Sequence, residues 1–216
     1  ADFGDLTDGM NGIGHGSTGS ETRGIWGGGS TGAAPYANVI QYITIASTGD
    51  ATDFGDLTAG REEDGQCSSP IRAVFMGGDT GSVSDVIDYV TIATTGDATD
   101  FGDLTDAQMQ ISGAGSSTRV MKGGGRANST NYTNIDYITI ASTGDAADFG
   151  DLTQARRSAR GQSNSTKIIW CGGYVGAAVN TVDMNYISTL GDSSDFGDLN
   201  ATKTDAGNCS NAHGGL

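Results

Sequence analysis

Apolar and polar residues alternate along four stretches of the chain, with the two-residue period of a half-buried strand. The stretches are 39–45, 86–92, 135–140 and the looser 182–187. Their β-branched and aromatic content, as in Ile135-Asp136-Tyr137-Ile138-Thr139-Ile140, supports the strand assignment. A short apolar run ending in consecutive glycines precedes each stretch. These runs are Gly24–Trp26 before Gly27–Gly29, Val74–Met76 before Gly77–Gly78, Val120–Lys122 before Gly123–Gly125, and Ile168–Cys171 before Gly172–Gly173. A Thr-Gly-Asp turn or a near variant follows, carrying Asp50, Asp97, Asp145 or Asp192, and its glycine is a hairpin signal. No stretch carries a convincing helical period.

After each turn comes the string Asp-Phe-Gly-Asp-Leu, which occurs at Asp2–Leu6, Asp53–Leu57, Asp100–Leu104, Asp148–Leu152 and Asp195–Leu199. The spacings are 51, 47, 48 and 47 residues, the signature of a tandem array. Counted from that string, the units are 2–52, 53–99, 100–147, 148–194 and a partial 195–216, forming one repeat domain over 1–216. Each unit reads as four short strands. Strand a is polar and varied (61–69 in one unit), strand b is the apolar run, strand c is the alternating stretch, and strand d carries Asp-Phe-Gly-Asp-Leu. Such a unit cannot bury both faces alone, whereas stacked copies can. The expected fold is all-β, a β-propeller of four-stranded blades; another β-repeat or solenoid array is the alternative. Aligning Cys209 with Cys67 sets Leu216 opposite Val74, so the array is expected to break off within a fifth strand b and to belong to a longer one.

The order Gly77-Gly78, Tyr89, Phe101, Leu104, with Arg156 after the fourth-unit string, resembles the kelch repeat. Phe stands where kelch units carry Trp, Arg61 reads as displaced, and Gln108 lies near the arginine place. The resemblance implies a propeller with strand b near the axis. The strings Asp136–Thr143 and Asp148–Thr153 more closely resemble arrays in uncharacterised marine bacteriophage proteins, including cyanophage types. That resemblance implies a virion protein, such as a tail fibre or adhesive appendage. The implied partners are other virion proteins or a host-surface glycan or protein, and the implied location is the virion or the extracellular space.

Composition narrows the chemistry. The chain holds 36 Gly and 2 Pro, which suits short strands and tight turns. A formal net charge of −15 argues against nucleic-acid backbones and anionic lipid as partners. Cys67, Cys171 and Cys209 are odd in number and lack CxxC spacing, which favours neither a disulfide framework nor zinc, and suggests assembly in a reducing cytoplasm. No apolar run has the length of a membrane span.

With His15 and His213 the only histidines, a catalytic triad or histidine-ligated metal is poorly supported, and the chain is expected not to be an enzyme. A propeller hydrolase or oxidase is the remaining enzymatic alternative. The repeated Asp-Phe-Gly lacks every other kinase element. Its expected role is structural, with Phe and Leu inward and the aspartates in solvent or capping turns. The aspartates also admit a second reading, a calcium site at Asp50, Asp53, Asp97 and Asp100. Trp26, Arg72, Arg119 and Trp170, on or just before strand b, are candidate ligand contacts. The competing expectation is core packing for the tryptophans and bonding between blades for the arginines. Two function classes follow: a structural or adhesive virion module, and a lectin-like module binding glycans in pockets between blades.

Overall fold

A computed structural model of the chain describes residues 2–7, 9–16, 18–32 and 35–207, and among these it is all-β, with no helix. Two short strands, β1 (His15–Gly16) and β2 (Thr18–Gly19), come first. β2 begins a four-stranded sheet with β3 (Arg23–Gly27), β4 (Val39–Thr44) and β5 (Thr52–Asp56). The second sheet is β6 (Gly65–Ser68), β7 (Arg72–Met76), β8 (Val86–Thr91) and β9 (Thr99–Asp103), with β1 added in parallel along β6. The third joins β10 (Ser112–Gly115) and β11 (Arg119–Gly123) to β14 (Asn134–Thr139) and β15 (Ala147–Asp151). A small hairpin, β12 (Arg126–Ala127) and β13 (Thr130–Asn131), is set into its b–c loop. The fourth is β16 (Arg160–Ser163), β17 (Lys167–Cys171), β18 (Val179–Tyr186) and β19 (Ser194–Lys203).

Within each of these sheets the four repeat strands run a–b–c–d, each antiparallel to the next. The Asp-Phe-Gly-Asp-Leu string therefore closes a sheet rather than opening one, and sheets are offset by one strand from the units counted along the sequence.

Consecutive sheets stack, and the core lies in the three spaces between them. Ile25, Ile40, Phe54 and Leu57 meet Ala73, Phe75, Val90 and Ile92 between the first and second sheets, and equivalent clusters fill the next two spaces. An inner sheet is therefore buried on both faces, so β7 reads as a nearly continuous apolar run, Ala73 to Met76, all buried. Phe54, Phe101 and Phe149 are each 2–3% exposed, and burying such a ring stabilises by about 1.5–3 kcal/mol. Each is met edge-on by a strand c tyrosine: Tyr42, Tyr89 and Tyr137, with ring centroids 5.7, 5.6 and 5.8 Å apart.

Backbone bonds tie the stack. The Gly96 and Ala98 amides of the second sheet's c–d turn donate to the Phe54 and Asp56 carbonyls of the first sheet, both at 2.7 Å, and the arrangement recurs between later sheets. The segment 2–7 stands in this relation to the first sheet, since the Phe3 and Asp5 carbonyls accept from Gly49 and Ala51 at 2.8 Å.

Two expectations need correction. Strand c does not alternate strictly, because a register shift falls at the same place in every sheet, between Ile40/Gln41, Ile87/Asp88, Ile135/Asp136 and Val182/Asp183. This bulge buries two successive side chains, as with Ile87 and Asp88, both 0% exposed. Neighbouring sheets also approach one another most closely along their a strands, not their b strands. β10 contacts both β6 and β16, and a Cβ on Gly113 would lie 2.4 Å from the Gln66 carbonyl oxygen. Only glycine-rich strands can approach so closely, which is why strand a is poor in large side chains.

Candidate functional site

Each a–b turn is built around an oxygen that accepts backbone amides. Ser20, Ser69 and Ser116 Oγ accept from the amides of Arg23, Arg72 and Arg119, at 3.2, 3.0 and 3.3 Å; Asn164 Oδ1 accepts from Lys167 at 2.8 Å. The turn thereby fixes a cation at the start of strand b. Arg23, Arg72 and Arg119 lie over the rings of Tyr42, Tyr89 and Tyr137, 4.5–4.7 Å from the centroids. Each guanidinium also donates across to the next sheet, to the carbonyls of Ile92, Ile140 and Ile187 at 2.6, 2.6 and 2.7 Å.

Grooves open along this rim between consecutive sheets. One of about 310 Å³ is lined by Ser116, Thr118, Ser165, Thr166 and Ser188, with Arg119 and Ile187 also in its wall. A second of about 270 Å³, between the first two sheets, includes Ser20, Glu21, Thr22 and Pro70. Hydroxyls beside a partly engaged guanidinium offer donors and acceptors to a polar ligand such as a sugar.

The structure separates the four candidate ligand residues. Arg72 and Arg119 are half-buried, and Arg119 lines a groove while spending one nitrogen on the neighbouring sheet. Trp170 is 0% exposed, and its indole nitrogen donates to Asn185 Oδ1 at 3.0 Å, so it lies beyond a ligand's reach. Trp26 is half-buried in β3 at the register of Trp170.

The aspartates proposed for calcium have local partners. Asp50 and Asp97 Oδ1 accept from the amides of Asp5 and Asp56 in the preceding strand d, at 3.0 and 3.1 Å. Asp53 and Asp100 Oδ1 accept from Gly55 and Gly102, two residues on, both at 3.1 Å. Among the described residues no group of three or more His, Cys, Asp or Glu is placed to hold a metal ion. Cys67 and Cys171 are free thiols; Cys209, with His213, lies outside the described residues.

A second set of polar side chains escaped the sequence reading. The bulged strand c aspartates Asp88, Asp136 and Asp183 are buried between sheets, each bonded by the threonine after the preceding strand d. Thr58, Thr105 and Thr153 Oγ1 donate at 2.8, 2.8 and 2.6 Å. Each also faces a buried cation: Arg61 at 2.8 Å, Lys122 at 3.6 Å and Arg156 at 3.1 Å.

Arg61, Gln108 and Arg156 each follow the string leucine by four residues, so Arg61 is not displaced. Where Gln108 replaces the arginine, Lys122 reaches in from strand b and bonds Gln108 Oε1 at 2.8 Å. Burial pulls the Lys122 ammonium down to about 8, against the attraction of Asp136. In the first sheet Met10 and Gln41 hold the two places, and Thr7 bonds the Gln41 amide oxygen instead. The available signal was an aspartate in the apolar middle of strand c.

Near the a strands, Asp64 is fully buried, with Gln66 Nε2 donating to it at 3.2 Å; burial pushes its carboxyl up to about 7. The equivalent positions hold Ile13, Ile111, Ala159 and Ala206. A carboxyl raised above its unfolded value favours folding when protonated. Its contribution is therefore lost as pH rises from about 4 to about 7, and stays lost above. Asp64→Ala is expected to gain on the parent across that window, by a few kcal/mol at about pH 8. Urea titrations at both ends of the window check this; an advantage that does not grow with pH refutes it. His15, lowered to about 4 chiefly by burial, titrates equally in both proteins and cancels.

The chain is an all-β repeat protein of stacked four-stranded antiparallel sheets. No family model matches it, and no curated protein does. Among the described residues no helix is long and apolar enough to cross a membrane, which leaves strand-crossing barrels unaddressed.

Proposed function

We propose that the chain is a non-enzymatic structural or adhesive module of a phage particle, a fibre or appendage element, folded as a kelch-like β-propeller with the described sheets as blades. The observation that carries this reading is a division of labour along each unit. Where one sheet stacks on the next, the repeated side chains, Phe54, Phe101 and Phe149, Leu57, Leu104 and Leu152, and the strand c aspartates, are consumed by contacts between sheets. The turns at the groove rim are held less strictly: Glu21-Thr22 and Pro70-Ile71 depart from the Ser-Thr shared by 117–118 and 165–166. A scaffold that holds its core and varies one rim suits recognition of a changing surface better than one fixed reaction.

The hydroxyl-lined grooves favour a second, lectin-like reading, in which the bound surface is a glycan. Its partners would be host-surface glycan or protein and other virion proteins, with folding in a reducing cytoplasm before release. Two measurements separate the readings. An antibody against the chain should label purified particles at an appendage, and protein found only in the particle-free fraction would sink the virion assignment. On a glycan array, binding abolished by Thr166→Trp supports the lectin reading, and no binding at all leaves assembly as the role.

A further inference from the structure

The first and last sheets each present a face that is covered in every other sheet. On the fourth, Phe196 is 60% exposed while Phe54, Phe101 and Phe149 are 2–3% exposed, and Leu199 and Ile169 are half-buried where Leu152 and Met121 are buried. A groove of about 280 Å³ runs past Phe196, Ile169, Lys167 and Gln162. On the first sheet, Ile45 is 47% exposed where Ile92, Ile140 and Ile187 are 2–4% exposed and their carbonyls receive the arginine of a preceding sheet. The segment 2–7 lies on that face with Phe3 and Leu6 exposed, holding the place of a strand d with no strand c beside it.

The two faces converge at their inner edges. Arg160 of β16 donates to the Ala206 carbonyl at 2.6 Å and reaches Asp205 at 3.3 Å, and Asp205 lies 3.9 Å from His15 of β1. Asp205 also repeats a backbone feature of the inner ring. Gly12, Glu63, Gln110, Ser158 and Asp205 all have φ between 52° and 62°, and the amides of Glu63, Gln110 and Ser158 each donate to the carbonyl of the one before.

We infer that these faces are the two walls of one slot, and that its occupant is a fifth sheet of this same repeat with segment 2–7 as its outer strand. The inference rests on the propeller reading and sets the ring at five blades. Charge complementarity identifies the occupant. The Lys203 carbonyl accepts from Gly173 at 2.8 Å, as the Arg61 carbonyl does from Gly29, which puts Lys203 in the cation place of the buried pairs. Its side chain is exposed, and what it lacks is the strand c aspartate that a further unit carries. A second whole copy of the chain brings four sheets to a gap that takes one.

The test extends the full chain after Leu216 with a copy of residues 75–98, which carries the end of β7, all of β8 and the turn that follows it. The three lysines make acetylation with mass spectrometry a direct readout: Lys122 is buried in both proteins, whereas Lys203 is exposed in the parent. The extension is expected to slow Lys203 modification by about tenfold or more and to raise Tm by about 10 °C. Unchanged Lys203 reactivity with unchanged Tm overturns the inference. So does Lys203 protection in the parent that grows with concentration, since a second copy then fills the slot. Should the extended chain not fold, the parent still decides. Phe196→Ser is expected to leave Tm within about 1 °C while Phe149→Ser lowers it by about 10 °C. Equal losses mean the face is already covered, and the inference fails. Failure of the propeller reading itself shows separately, as an elongated rather than ring-like particle in small-angle scattering of the parent.

Discussion

Lys122→Met is expected to destabilise the chain by about 3–5 kcal/mol, and adding Gln108→Arg to recover most of the loss. Asp136 is 1% exposed and held between sheets by Thr105, so removing the ammonium leaves a buried carboxylate facing neutral groups. The repeat supplies the remedy. Arg61 and Arg156 stand at the place of Gln108, and Arg61 satisfies its aspartate at 2.8 Å with Phe75 at the Lys122 register. The double variant therefore rebuilds in the third sheet what the second already contains. A complementary variant, Lys122→Met with Gln108→Met and Asp136→Gln, copies the neutral pairing of Met10 with Gln41 and is expected to fall close to the parent. Removing a whole buried ion pair costs far less than halving it. Urea midpoints of the four proteins check the scheme. If Gln108→Arg gives no recovery, the two cation places are not interchangeable.

That pair also shows where the sequence stops being readable. The period, the four-strand unit and the hairpin glycines were legible because local preferences repeat at fixed spacing, and Phe54, Phe101 and Phe149 lie buried as an apolar residue in a repeated string should. The exchange of Arg for Gln108 and of an aromatic for Lys122 was not legible. Gln108, in the loop before β10, and Lys122, on β11, are 14 residues apart, and only the fold shows that they bond one another while Lys122 faces Asp136. The bulge was hidden for a related reason: Ile87-Asp88 looks like ordinary alternation until the register shift buries both. For the candidate site, position at the start of strand b found Arg72 and Arg119 but not the turn serines that aim them, since serine in a glycine-rich loop has no distinguishing pattern. Trp170 was singled out as an aromatic side chain on strand b, and its large apolar body is what places it in the core.

Gly150→Ala is expected to cost several kcal/mol, and the chemically identical Gly197→Ala markedly less. Both glycines occupy the centre of the Asp-Phe-Gly-Asp string with φ of +141° and +135°, so an alanine at either place bears similar backbone strain, about 1–3 kcal/mol. Their surroundings differ. A Cβ at Gly150 would lie 2.5 Å from the Gly191 carbonyl carbon and oxygen, whereas at Gly197 nothing lies within 4 Å. The obstacle at Gly150 is backbone, which cannot swing aside. Relief would break the bonds from Gly191 to the Phe149 carbonyl and from the Asp151 amide to Asp192, which join the last two sheets. The clash adds about 1–3 kcal/mol, so Gly150→Ala should melt several degrees below Gly197→Ala. Gly55 and Gly102 have the same backbone neighbours as Gly150, at Gly96 and Gly144, and should follow it. Thermal melts of the alanine series thus read out which strand d has a sheet against it. With a closing sheet docked on the fourth, Gly197→Ala becomes as costly as the others; with the slot empty, it remains the mild member.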